Sequence, residues 1–199
     1  RYGDYTASAI TNKLAGLDAW NPESAPSASE SFFGVDRSVD SRLWGVPYDG
    51  SLDSNEDALI EGQSICAREG GEVDMFVMHN LQYRKLVKQL GSKRQYVQMN
   101  ARSAEGIYAN IGYRGVVVDG DMGPINVMAA NKCPLDRAHG LSLKSWLLAT
   151  LGPTVHFTEY DSLRILRQSA DDGIEGRLVF RGNLACRAPI WNARVKLAV

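Results

Sequence analysis

The chain has 199 residues, with 22 lysines and arginines against 23 aspartates and glutamates, and 44% of it is hydrophobic. That is enough material for one domain with a core or two small lobes, and it excludes wholesale disorder. A net charge of -1 excludes bulk basicity as the mark of a nucleic-acid binder. No apolar run approaches the roughly 18 residues that a membrane span requires. Three cysteines, Cys66, Cys133 and Cys186, are too few and too scattered for a disulfide framework, so reduced thiols are expected. Arg1 opens the chain, and no basic stretch followed by an apolar one comes after it. The expectation is the retained or ordered part of a longer polypeptide.

Residues 1–53 read as irregular but ordered. Trp20, Phe32, Phe33, Trp44 and Tyr48 are more aromatics than a low-complexity linker carries, and they need an apolar surface to rest on. That surface is either the main body or a neighbouring copy. Ser54 to Glu69 reads as a helix: Ser54 suits the N-cap, Asp57 stands three residues on, and Gly70-Gly71 stops it. Val73 to Met78 reads as a short strand. Asn80 is the expected cap of a second helix, in which Tyr83, Leu86, Val87 and Leu90 form an apolar stripe and Gly91 marks the end.

From Gly112 the pattern turns to strands. Gly115 to Val118 leads into Asp119-Gly120, a turn dipeptide, and residues 124–128 alternate apolar with polar. Ala138 to Leu143 reads as a strand, while Trp146 to Leu151 is open between helix and strand. Leu163, Ile165, Leu178, Phe180, Ile190, Val195 and Leu197 mark later alternating stretches, with a turn at Pro189. The fold class is α+β.

Charge is unevenly distributed. Asp36 to Asp74 holds ten acids against three arginines, whereas Arg84 to Arg102 holds six bases and no acid. Two readings stay open: complementary surfaces that meet between copies, or two solvated faces that neutralise each other within one molecule. Basic residues beside Tyr83 and Tyr96 also fit nucleic-acid contact, but no reading motif accompanies them.

Reactive centres are sparse. Cys133 and His139, with Asp136 between them, have the residue types of a nucleophile and base but lack an orienting group in a recognisable context. Asp119 and Asp121 lack the further oxygen ligands of a calcium loop. His79, His139 and His156 share no metal-ligand spacing, and Asp171-Asp172 with Glu175 reads as a solvated turn. Residues 69–72 lack the lysine of a phosphate loop. No catalytic, cofactor-binding or metal-binding residue is assigned and no cofactor is expected. The profile is that of a structural or interaction protein, not an enzyme.

The order of the motifs resembles a known family. Residues 72–80 with the helix carrying Tyr83 and Leu86, then Gly115-Val116-Val117-Val118, residues 123–127, residues 131–134 and residues 141–146 follow one another as in HK97-fold major capsid proteins of tailed double-stranded DNA bacteriophages. Residues 171–177, 183–186 and 188–195 continue the likeness, as do residues 16–20 and 32–38 near the start.

The resemblance implies an axial domain over 54–156 and returning strands of a peripheral domain over 157–199. Residues 1–53 become a loop-rich segment holding a peripheral-domain part and an insertion. The family's N-terminal arm, extended loop and spine helix are not found in this chain. The implied function is self-assembly into pentamers and hexamers of an icosahedral shell around double-stranded DNA, bound without sequence specificity. Portal, scaffolding and cement proteins are possible further partners, and no membrane is involved. The implied location is the virion, assembled in the host cytoplasm. An encapsulin-like shell around a cargo protein and a soluble hydrolase using Cys133 and His139 are the alternatives. Candidate subunit-interface residues are Trp20, Phe32, Phe33, Trp44, Arg84, Lys85, Lys88, Lys93 and Arg94.

Overall fold

Ser54 caps its helix as its side chain predicts, because its hydroxyl accepts from the Asp57 amide at the first turn. In the computed structural model, which describes residues 14–28, 31–91, 95–98, 101–102, 108–109, 114–159, 164–167 and 173–199, this helix is the longer of two that lie on a mixed sheet. The chain begins with a short helix α1 (Leu17–Trp20) and a two-residue hairpin of β1 (Ser31–Phe32) and β2 (Val35–Asp36). Then come β3 (Val46–Gly50), α2 (Asn55–Arg68), β4 (Met75–Met78) and α3 (Asn80–Leu90). β5 (Gln95–Gln98), the paired β6 (Ala101–Arg102) and β7 (Tyr108–Ala109), β8 (Arg114–Gly120), β9 (Gly123–Ala129) and β10 (Arg137–Leu141) follow.

Seven strands make one sheet in the order β3, β17, β10, β4, β9, β8, β5, where β17 (Ala193–Leu197) is the last strand of the chain. β17 runs parallel to β3 and antiparallel to β10, and β4 runs parallel to β9. Strand alternation then sorts the side chains by face. Phe76 and Met78 of β4, Val116 and Val118 of β8, Ile125 and Val127 of β9, and Ala193, Val195 and Leu197 of β17 join Leu59, Cys66, Leu86 and Leu90 of the helices in one buried core. Phe76 is fully buried at its centre. The backbone must approach this ring closely: a Cβ on Gly140 would stand 2.8 Å from it, and one on Gly62 of α2 would stand 2.5 Å from Val195 Cγ2. α2 can therefore lie against β17 only because position 62 has no side chain.

Two buried amides close the ends of this body. Gln82 on α3 donates to the carbonyls of Ala198 (2.6 Å) and Leu135 (3.0 Å) and accepts from Asn55 (3.2 Å). Asn192 accepts from the Ser142 amide (2.9 Å) and Trp146 Nε1 (2.7 Å) and donates to the Ala188 carbonyl (3.0 Å). Both side chains have no solvent exposure, so these bonds satisfy groups that would otherwise be costly to bury.

The chain divides into two compact units, one of residues 1–146 with 186–199 and the other of residues 147–185. The second is a two-stranded ribbon. Its ladders are nested: β11 (Trp146–Thr150) pairs with β16 (Gly182–Cys186), β12 (His156–Phe157) with β15 (Leu178–Val179), and β13 (Ile165–Arg167) with β14 (Ile174–Gly176). Residues 146–150, open between helix and strand in the sequence, are thus strand.

The α+β class holds, and several local expectations change. The cap of α3 is His79, whose Nδ1 accepts from the Leu81 amide at 3.1 Å, and Asn80 is already helical. The turn expected at Asp119-Gly120 falls at Asp121-Met122, because Asp119 and Gly120 still pair with Pro124 and Gly123. Gly120 serves packing instead, since Gln63 and Ile125 leave no room there for a Cβ. The turn closes at Gly123, whose φ of 116° suits glycine. β3 is a strand inside the stretch read as irregular. The divisions at 53/54 and 156/157 do not coincide with the compact units, since β3 and β17 build one sheet with β4 and β10.

A Gly62→Val substitution tests the close approach of α2 to β17. Overpacking at such a site costs about 1–3 kcal/mol. The midpoint of urea unfolding is expected to fall with an unchanged denaturant slope, and an unchanged midpoint would contradict the packing described.

Candidate functional site

The side chains with reactive chemistry are mostly committed to structure. Cys133 is buried, and its thiol is directed at the carbonyl oxygens of Val77 (3.8 Å) and Arg137 (3.7 Å). His139 is fully buried and faces Asp18, so neither member of this pair meets solvent where a substrate would approach. Burial pushes the Cys66 thiol up to about 12 and raises that of Cys186, which disfavours the reactive thiolate. Among the described residues, no group of three or more metal-ligating side chains comes together. Glu175 pairs with Arg177 at 2.6 Å, while Asp171 and Asp172 lie outside the described residues.

The second face of the sheet carries a buried ionic cluster. Strand alternation puts Arg137 and His139 of β10 and Arg194 of β17 on the face opposite Phe76. α1 lies over them and inserts Asp18, whose Oδ1 is 3.1 Å from Arg137 Nη1, 3.3 Å from His139 Nε2 and 3.7 Å from Arg194 Nη1. Glu23 meets Arg194 at 3.0 Å. Burial alone would push the Asp18 carboxyl up, but the His139 imidazole and the Arg137 guanidinium outweigh it and hold the carboxyl below its ordinary value. The cluster tethers the N-terminal segment to the sheet.

The aromatic interface candidates gather on this segment. Trp20 and Phe32 meet edge to face at 4.8 Å, Phe32 and Phe33 at 4.6 Å, and Trp20 and Trp146 at 6.3 Å. Phe32 is buried within its own chain beneath Arg37, which stands 4.2 Å from the ring centroid. Trp20 and Trp44 are half-buried, and Phe33 is exposed. The structure thus brings Trp20, Phe32 and Phe33 together, and of the three only Phe33 is exposed.

The charged candidates sit elsewhere. Arg84, Lys85 and Lys88 are exposed on α3, while Lys93 and Arg94 lie outside the described residues. Of the acidic block, Asp40 pairs with Arg42, Asp49 with Lys196 and Glu72 with Lys144. Arg42 holds the Asp40 carboxyl down to about 2. Glu56 and Glu61 on α2 and Arg84, Lys85 and Lys88 on α3 form no ion pair among the described residues. The two helices pack together, yet their outer charges do not pair directly.

A further surface lies on the ribbon. Leu148, Leu151, Val155, Phe157, Ile165, Ile174, Leu178 and Phe180 are all exposed. Cross-strand pairing puts Phe157 beside Leu178 and Ile165 beside Gly176, and a Cβ on Gly176 would meet Phe157 at 3.4 Å. Phe157, Leu178, Ile165 and Ile174 thus share one face. The alternation of Leu178 with Phe180 marks these residues as strand in the sequence, but their exposure is not written there. No helix among the described residues is long and apolar enough to cross a membrane. No protein-family model matches the chain, and no curated protein matches it.

Asp18→Ala takes the carboxylate from beside the buried His139 imidazole and removes one of the partners of Arg137, which keeps Asp136, and of Arg194, which keeps Glu23, so the expected loss of stability is about 1–3 kcal/mol. The same tether makes stability depend on pH. Because the folded-state carboxyl titrates below its unfolded value of about 3.9, its contribution is complete above that value and is lost as pH falls through the lower one. Acid titration of unfolding is expected to show this loss in the wild type and not in Asp18→Ala.

Proposed function

We propose that this chain is a structural subunit of an icosahedral shell, an HK97-like major capsid protein of a tailed double-stranded DNA bacteriophage. It works by tiling against copies of itself as pentamers and hexamers around DNA that it holds without sequence specificity. Its place is then the virion. Portal, scaffolding and cement proteins would be its further partners.

The observation that carries this reading is the ribbon of residues 147–185. A two-stranded ribbon is marginal in water on its own. Eight large apolar side chains among its described residues stand exposed. Such a surface marks a contact with other protein, because leaving it wet forfeits about 25 cal/mol for each Å² that burial would remove from water. The outer faces of α2 and α3 add a second element, opposite charges that are not spent on each other. Repeated between subunits, a charge contact of this kind is heterologous and closes into rings. Individually modest contacts suffice when many act together. The α+β core is compatible with the axial domain of that fold.

Electron micrographs of the purified full-length protein are expected to show closed shells built of rings. A protein that stays monomeric at every concentration and salt would overturn the reading. Shells filled with a cargo protein in place of DNA would replace it with the encapsulin-like one.

The charge contact has its own test. Reversing Arg84, Lys85 and Lys88 to Glu is expected to cut the assembled fraction while leaving the monomer's melting temperature within a few degrees, since exposed substitutions cost about 0.5 kcal/mol or less. Adding Glu56→Lys and Glu61→Lys is expected to restore assembly. Sedimentation velocity reads both outcomes, and unimpaired assembly of the first variant would remove the charge contact from the account.

A further inference from the structure

The hairpin of β1 and β2 turns in a conformation that its residues disfavour. Phe32 pairs with Val35, so Phe33 and Gly34 are the two central turn residues, with φ of 51° and 79°. Positive φ at both positions suits Asn, Asp or Gly at the first, whereas a bulky aromatic there is uncommon and strained. Strain of this kind persists where the surroundings over-determine it, and it clusters at binding sites. Here it holds an exposed Phe33 ring on the wall of a groove of about 480 Å³. Trp20, Val35 and Leu43 supply further apolar lining, and Cys186 lies in the wall. Arg37, Arg42 and Arg187 line the same groove against the single acid Asp40, which leaves it basic.

A matching feature stands on the same unit. Leu52 is 99% exposed, yet its turn is ordered: the Asp53 amide donates to the Gly50 carbonyl, the Ser51 amide to Asp49, and Tyr48 Oη to Asp53 at 2.7 Å. Asp49 and Asp53 flank it, and Glu56 and Asp57 follow in the first turn of α2. An acidic turn with an apolar tip is thus complementary to a basic groove with an aromatic wall. The two features lie at opposite ends of β3. Leu43 precedes the strand, with Gly45 held to the Trp20 carbonyl, and Gly50 ends it. Five residues of strand separate the ends by roughly 16 Å. β3 is also the edge of the sheet. Head and socket at the two ends of one edge element form a heterologous contact, the kind that repeats around a ring.

We propose that the Trp20–Phe33 groove receives the Leu52 turn of a second copy of this chain. The inference rests on the shell-subunit reading and names one contact within it. Phe33 is held in its turn so that its ring walls the socket, and the arginines select the acidic tip.

The test uses a cysteine already in the groove wall. Leu52→Cys in the full-length protein, assembled and then oxidised with copper-phenanthroline at mildly alkaline pH, which offsets the raised Cys186 thiol, is expected to give disulfide-linked oligomers on non-reducing gels, with peptide mapping joining position 52 to Cys186. The oligomers should vanish in Leu52→Cys/Cys186→Ser and be absent from Met122→Cys, a control at another exposed turn. Leu52→Asp is expected to lower the assembled fraction roughly tenfold, as loss of a central anchor does. Phe33→Asn, which suits the turn, should lower assembly with the monomer's melting temperature held within a few degrees. Shells formed at wild-type yield by Leu52→Asp, or linkage at position 52 that persists without Cys186, would overturn the proposed contact and leave the shell reading standing. A wild-type protein that never assembles would overturn both.

Discussion

The sheet of this protein is complete only when its last strand arrives. β17 lies between β3 and β10, so residues 193–197 join two strands that are separated by more than eighty residues of chain. Its alternation serves both faces at once. Ala193, Val195 and Leu197 close the apolar core beneath α2, and Arg194 enters the ionic cluster on the far side. Gly62 and Gly140 are the complement to this arrangement, because they let a helix and a neighbouring strand come close enough for Phe76 and Val195 to fill the space between them. Non-local pairing of this kind is slow to form, since loop closure must be met before the contacts are made.

The two faces of the sheet are held by different physics. One is packed apolar volume, whose contribution does not depend on charge pairing. The other is a buried carboxylate among guanidinium and imidazole groups, whose net contribution depends on each member finding its partner. Through Asp18 and Glu23, that second face holds the segment carrying Trp20, Phe32 and Phe33. The aromatic groove is therefore positioned by electrostatics on a body that is stabilised by packing. Protonating Asp18 removes the carboxylate charge from this tether and leaves the apolar core without a direct change.

The surfaces on which the proposed assembly rests are of three sorts: an apolar ribbon face, opposite charges on adjacent helices that form no ion pair among the described residues, and a basic aromatic groove with an acidic apolar tip at the other end of the edge strand. An isolated chain gains little from any of them. Exposed apolar ribbon and a strained aromatic turn are costs to a monomer, which the proposed contact with a neighbour would offset.

Local signals were enough for the helices. A serine cap with acids after it delimits α2, and the spacing of Tyr83, Leu86, Val87 and Leu90 places the inner face of α3, because both depend on residues within a turn of each other. The same is true of the β8–β9 hairpin, although its turn lies two residues beyond Asp119-Gly120, where packing under α2 claims Gly120. The uneven charge and the aromatic-rich start were likewise visible as composition. Tertiary structure alone decided that β3 and β17 share a sheet with β4, since Val46-Pro47-Tyr48 carries no alternation to announce a strand and its partner lies at the far end of the chain. It also decided that Phe32 is buried while Phe33 is exposed, that His139 faces Asp18 from 121 residues away, and that the apolar residues of the ribbon face water. Exposure and long-range charge pairing depend on where distant segments meet, and local sequence does not encode that meeting.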